Sequence, residues 1–263
     1  MTDKERILTR IDEIRTFVLR ELVRHGVSIA PESSLACRAS PGQPLASYFD
    51  HTLLKPEATK EAFQQLYQEA MLWKTYSVCV PPNRVKEAVA HLKGTGVKIC
   101  TVIGFPLGYS EGKSKGVEVR LALEEGCEEF DTVIPVGLLK DGNILAVYQD
   151  IAEVVETARG KWVKVILETA LLNEEEKLLG GVISLLAGAH MLKTSTGFAS
   201  KGATVEDVAL LRLIAGKSRG VKAAGGIRDY ATASAMIEAG ADRLGSSATP
   251  TILLEAEKRR REP

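Results

Sequence analysis

From Tyr48 onward, short apolar runs rich in β-branched residues alternate with longer stretches of helical spacing. The runs fall at 48–53, 76–80, 98–103, 129–134, 162–168, 190–195, 220–224 and 242–245; the helical stretches fall at 59–73, 83–94, 112–126, 144–159, 174–187, 204–217, 229–240 and 249–260. Each strand-plus-helix unit has the size of a βα repeat. Gly-Val, Gly-Cys, Gly-Ala and Gly-Ala pairs at 96–97, 126–127, 188–189 and 240–241 stand just before strands, where helices stop. Eight such units predict an α/β fold with eight parallel strands closed into a (β/α)8 TIM barrel. An open doubly wound sheet is the alternative, and it lacks the Gly-x-Gly-x-x-Gly turn after its first strand.

Ahead of this pattern, Ile7, Ile11, Ile14, Val18 and Leu22 recur at helical spacing over 4–24, with Thr2 or Asp3 placed to cap and His25-Gly26 placed to stop the helix. Residues 27–44 carry Pro31, Ser33, Ser34, Pro41, Gly42 and Pro44 and read as a linker. The expected organisation is therefore an N-terminal helical extension with its linker over 1–45 and a barrel domain over 46–263. The apolar face of the first helix must be covered, either as a lid over the barrel bottom or by a second subunit.

Chemistry in a barrel of this kind sits at the C-terminal ends of the strands. Collecting polar residues there gives Asp50, Cys79, Asp131, Glu168, Lys193 and Lys222. Lys193 and Lys222 close the sixth and seventh apolar runs. A lysine becomes a nucleophile when its pKa is pushed down, and a second cation nearby does that, so the pair suggests amine chemistry on a carbonyl. Asp131, inside Glu-Phe-Asp-Thr-Val-Ile (129–134), is a buried carboxylate suited to moving protons. Asp50 is expected to orient a substrate hydroxyl or to pair with a lysine. Thr196 and Gly197, in the tight loop after Lys193, are expected to contact substrate. Loops after strands seven and eight are the recurring phosphate site of this fold; they supply Gly225, Gly226, Ser246 and Ser247. His51 is read as structural, because neighbouring strand residues point to opposite faces, and Cys79 as a strand-end filler.

Composition narrows the classes. Basic and acidic residues number 34 each, so no electrostatic footprint for nucleic acid appears. Cys37, Cys79, Cys100 and Cys127 have no C-x-x-C spacing and read as reduced thiols of a cytoplasmic protein. No apolar run reaches the ~18 residues of a membrane span, and the start lacks the layout of a signal peptide. The four histidines show no metal-ligand spacing, so no metal is expected. A pyridoxal-phosphate enzyme, which also uses a lysine imine, stays open on chemistry alone.

Five motifs then converge: Phe-Asp-His-Thr-Leu-Leu-Lys-Pro (49–56), Val-Cys-Val-Pro-Pro (78–82), Val-Ile-Gly-Phe-Pro-Leu-Gly (102–108), Lys-Thr-Ser-Thr-Gly-Phe (193–198) and Val-Lys-Ala-Ala-Gly-Gly-Ile-Arg (221–228). Together they resemble the deoxyribose-phosphate aldolase family from about Tyr48 to Thr251. The resemblance implies a class I aldolase that interconverts 2-deoxy-D-ribose 5-phosphate with acetaldehyde and D-glyceraldehyde 3-phosphate without a cofactor. It places the imine-forming lysine on Lys193, the second lysine on Lys222 as proton donor and acceptor and pKa perturber, and the proton-transfer aspartate on Asp131. It also places the strand-one aspartate on Asp50 and the phosphate loops on Gly225–Gly226 and Ser246–Ser247. Partners implied are a phosphosugar and, through the N-terminal helix, a homodimer or homotetramer. Three departures stand out: Pro135 where the family often has Asn, no tyrosine after Tyr230, and the length of the segment before residue 45. Another phosphosugar aldolase or isomerase, and a non-catalytic sugar-phosphate binder, are the alternatives.

Overall fold

A computed structural model describes residues 2–29 and 42–261. Most of the expected linker, with Cys37, lies outside the described residues. Eight parallel strands close in sequence order, β1 pairing with both β2 and β8. They are β1 (Phe49–Thr52), β2 (Ser77–Val80), β3 (Lys98–Ile103), β4 (Glu129–Val133), β5 (Trp162–Ile166), β6 (Met191–Lys193), β7 (Gly220–Ala224) and β8 (Arg243–Ser246). The expected TIM barrel is therefore the fold.

The helices are α1 (Asp3–Arg24), α2 (Lys60–Trp73), α3 (Val85–Leu92), α4 (Gly112–Glu124), α5 (Val136–Lys140), α6 (Ile144–Thr157), α7 (Glu174–Leu186), α8 (Val205–Ala215), α9 (Tyr230–Glu238) and α10 (Thr249–Arg261). Their starts follow from local chemistry: Thr59, Asn143, Asn173, Thr204 and Asp229 each accept a backbone N–H of the first turn through the side chain. The stops before strands come from Gly96, Gly126, Gly188 and Gly240, all at positive φ. Short α5 was not expected; it follows Pro135, the departure noted in the sequence. Strands β5 and β6 end earlier than their apolar runs. Beyond β5, Glu168 adopts a left-handed backbone with φ of 56° and the chain turns through a single 3-10 turn at Thr169–Leu171.

Thr2 caps α1 in a reciprocal box with Glu5. Ile7, Ile11, Ile14, Val18 and Leu22 are all buried, in one cluster with Leu178, Val182 and Ile151 of the barrel's outer helices. The helix packs against α6, α7 and α8, not as a lid over the barrel bottom. An aliphatic stripe of five side chains, at about 1.5–3 kcal/mol each when fully buried, decides that placement. The exposed pairs Arg6–Glu174 and Arg10–Glu175 only trim it. Among the described residues no helix is long and apolar enough to cross a membrane.

Side-chain alternation along the strands separates two interiors. Phe130, Val163 and Val78 face outward into a core with Leu66, Val119 and Val154 of the surrounding helices. The residues between them in sequence, among them Asp131, Lys164 and Cys79, face the barrel axis. Just below β6, the His190 ring stacks on Trp162 (centroids 6.2 Å apart) and accepts the Val163 N–H at 3.2 Å. Burial and the charge of Arg219 push its imidazole down to about 4. The unfolded chain therefore binds the extra proton between the ordinary value of 6.5 and about 4. Stability from this group is complete above pH 6.5 and declines as pH falls through that window. In His190→Asn, whose carbonyl keeps an acceptor for Val163, the urea midpoint should fall less steeply over the same range. An equally steep fall would clear His190.

Candidate active site

Charged side chains fill the barrel axis in a continuous ring of contacts. Asp131, the middle residue of β4, accepts from three lysines: Lys193 at 2.8 Å and Lys222 at 2.7 Å on Oδ2, and Lys164 at 3.0 Å on Oδ1. Lys164 also reaches Glu129 at 2.5 Å. Asp50 accepts from Lys222, from Arg243 at 2.7 Å and from the Ser77 hydroxyl at 2.7 Å. Arg243 completes the ring toward Glu129 at 3.5 Å, with its guanidinium carbon over the Tyr76 ring 3.2 Å from the centroid. All seven charged groups are at most 5% exposed.

Sheet geometry accounts for this convergence. Lys193 is paired in register with Lys222 across β6 and β7, and Asp131 with Lys164 across β4 and β5. In-register neighbours on parallel strands sit about 4.8 Å apart and point the same way, so inward-facing partners meet. Lys222 lies in the middle of β7, not at its end as the apolar run suggested; Lys193 does end β6. The site is thus one tier deeper than a reading of strand ends implies. Lys164, Glu129 and Arg243 escaped that reading for the same reason.

Electrostatics follow from the contacts. Burial alone would raise the Asp131 carboxyl, but Lys164, Lys193 and Lys222 outweigh it and hold it well below the usual carboxylate range. Burial would likewise strip the proton from Lys222, yet Asp131 and Asp50 prevail and raise it. Lys164 is raised in the same way, against its own burial, by Asp131, Cys100 and Glu129. Lys222 and Lys164 are therefore firmly protonated in the free protein. Cys79, Cys100 and Asp131 have potential ligand atoms within 4.8 Å of one another, but the Lys164 and Lys222 ammonium groups already on Asp131 repel any further cation.

Above the ring, the ends of β6, β7 and β8 form a backbone-lined cradle. Gly197, Gly225 and Gly226 have φ of 87°, 85° and 80°, values that favour glycine. Gly202, which carried no sequence signal, packs directly on this turn: a Cβ there would lie 2.2 Å from the Gly225 carbonyl oxygen. The next residue, Ala203, donates its N–H to both Ala224 and Gly225 carbonyls. Ser246 is buried and ties the two loops together, donating to the Ile227 carbonyl at 2.7 Å and accepting the Ala248 N–H at 2.9 Å. Ser247 is exposed. Thr196 gives both its N–H and its hydroxyl to Glu168. Glu168 Oε1 and Ser195 Oγ are buried without a protein partner, at the ends of β5 and β6. Phe105 and Phe198 meet edge to face, centroids 5.3 Å apart.

Of the residues expected to act, Lys193, Asp131, Lys222 and Asp50 form one chain of contacts in that order, while Thr196, Gly197, Gly225, Gly226, Ser246 and Ser247 lie at or just beyond the ends of β6, β7 and β8. Asp50 is fully buried with all its partners in the protein. His51 turns outward to Glu69 of α2 at 2.8 Å, and Cys79 packs with Cys100, Val102 and Leu54.

Residues 45–249 match the profile of the DeoC/LacD family aldolases. The chain is 51% identical over 209 residues to the deoxyribose-phosphate aldolase of Streptococcus gordonii, covering 80% of this chain and 95% of that one. It is 53% identical over 216 residues to the deoxyribose-phosphate aldolase of Thermococcus gammatolerans, covering 81% and 96%. Among solved structures, a putative deoxyribose-phosphate aldolase from Coccidioides immitis superposes with a TM-score of 0.82 at 35% identity, over 94% of this chain and 98% of that one. The tetrameric deoxyribose phosphate aldolase of Aeropyrum pernix gives 0.76 at 37%, over 82% and 92%.

Proposed function

The chain belongs to the DeoC/LacD family of aldolases, and on that footing we propose that it acts as a deoxyribose-phosphate aldolase with Lys193 as the carbon-bonding amine. It is a carbon–carbon lyase that splits 2-deoxy-D-ribose 5-phosphate into acetaldehyde and D-glyceraldehyde 3-phosphate, reversibly. The observation that carries the residue assignment is the contact of two lysines with one oxygen of Asp131. Of the two, Lys193 alone ends its strand.

Neutral Lys193 attacks C1 of the open-chain aldehyde, and loss of water from the carbinolamine leaves a protonated imine. That cation is an electron sink for the C2–C3 bond. 

Acetaldehyde carries off C1 and C2, and glyceraldehyde 3-phosphate keeps C3 to C5. As C2–C3 breaks, its electron pair forms an enamine on Lys193 and the C3 hydroxyl loses its proton to become the new aldehyde. Protonation of the enamine at C2 and addition of water to the imine then release acetaldehyde and restore the amine. Asp131, in contact with both lysines, and Lys222, on the same Asp131 oxygen as Lys193, are the groups available to relay these protons. No step calls for a metal ion or an organic cofactor. The glycine cradle, braced by Gly202 and Ser246, takes the phosphate on backbone N–H groups, and holding that remote group fixes the reacting carbons. Thr196 and Gly197 border it, and Ser247 adds an open hydroxyl. Asp50 acts through Lys222 rather than on the sugar directly.

We also assign a cytoplasmic location, supported by the free, buried thiols of Cys79, Cys100 and Cys127. A homodimer or homotetramer is supported by the tetrameric relative and by Leu8, Phe17 and Val23, which stay exposed on α1.

Cyanoborohydride with 2-deoxyribose 5-phosphate should trap an adduct on Lys193, and Lys193→Ala should lose both the adduct and cleavage in a coupled glyceraldehyde 3-phosphate assay. An adduct on another lysine would overturn the assignment. Gly202→Ala should push the Gly225 turn aside, raising KM for the phosphorylated sugar on the order of tenfold or more, as overpacking by about 1–3 kcal/mol implies. Trapping by unphosphorylated acetaldehyde should persist; if KM is unchanged, the cradle does not hold the phosphate.

A further inference from the structure

The charged ring holds four cations, Lys164, Lys193, Lys222 and Arg243, against three carboxylates, Asp50, Glu129 and Asp131. Their contacts are unequal. Lys222 touches Asp50 and Asp131; Arg243 touches Asp50 and Glu129; Lys164 touches Glu129 and Asp131 and comes within 3.8 Å of Asp50. Lys193 has one carboxylate contact, on an oxygen it shares with Lys222. Three cations with two or more carboxylates each thus balance three carboxylates, and Lys193 is the surplus.

We propose that Lys164 and Glu129, which do not contact the reacting amine, are positioning residues whose opposite charges determine that Lys193 is the lysine that gives up its proton. The proposal rests on the imine-forming role of Lys193 given above. Loss of that one proton brings the buried ring to neutrality, the cheapest state for charges removed from water. Remove Lys164, and three carboxylates need Lys193 as their third cation. Remove Glu129, and the positive surplus doubles. Glu168, beyond β5, is a further buried carboxylate but lies outside the ring: it accepts from Thr196 and pairs with none of the four cations, while Cys79 on β2 and Cys100 on β3 add sulfur, not carboxylate, beside Asp131. Lys164 and Lys222 are held protonated by their carboxylates in spite of burial, so neither competes as the neutral amine.

The test is the pH at which trapping of acetaldehyde on Lys193 by cyanoborohydride is half-maximal, read by peptide mass in the full chain. Lys164→Met should move that pH upward and Glu129→Gln downward, each on the order of one pH unit for a unit charge a few ångströms away. Shifts of opposite sign are what a merely structural role would not produce. Midpoints that stay put, or move the same way, in folded variants overturn the proposal. If Lys164→Met fails to fold, the direction of the Glu129→Gln shift decides alone. A wild-type chain that traps nothing on Lys193 would instead defeat the assignment of the nucleophile, so the two failures are distinguishable.

Discussion

Electroneutrality inside the barrel is the constraint on which the rest of this structure depends. Seven charged side chains are taken out of water along the axis of a closed sheet. Breaking a buried pair by removing one partner typically costs about 3–5 kcal/mol, a large share of a domain's net stability of about 5–15 kcal/mol. The groups can stay there because each carboxylate accepts from at least two cations. Strand register supplies those meetings: Lys193 with Lys222, and Asp131 with Lys164. Fold and site are consequently the same object, since the pairings that close the sheet are the pairings that neutralise its interior.

The architecture was legible because it rests on repetition. Alternation of apolar runs with helical spacing, punctuated by glycines and by Thr, Asn and Asp caps, specifies eight βα units with little help from long-range contacts. The deeper tier was not. A search of strand ends finds Lys193, but Lys164 in Trp-Val-Lys-Val-Ile and Glu129 at the start of β4 sit where only alternation marks them. Reading every second residue inward from Asp131 would have flagged Glu129, and the same rule within β5 would have flagged Lys164. Pairing them across strands needs register, which one strand's sequence does not carry. Gly202 was out of reach because its importance comes from a backbone approach by residues 23 positions later. The left-handed turn at Glu168 likewise belongs to the tertiary structure, not to local propensity.

The N-terminal helix shows the complementary case. Its apolar stripe was evident, but a stripe says only that something covers it. The outer helices α6, α7 and α8 do so within the chain, and what remains exposed on α1 is a second, smaller set of apolar side chains.

The register of β6 with β7 has one more consequence. The amine proposed to bond carbon and the cation beside it are spaced by hydrogen-bonded strands, whereas the glycine turns proposed to take the phosphate belong to the loops beyond. Bond-making chemistry and molecular recognition are therefore written on separate storeys of the barrel. Loops can be exchanged, lengthened or retuned toward another aldehyde while the amines below keep their spacing, which makes this a scaffold where new substrates can be acquired without reinventing the reaction.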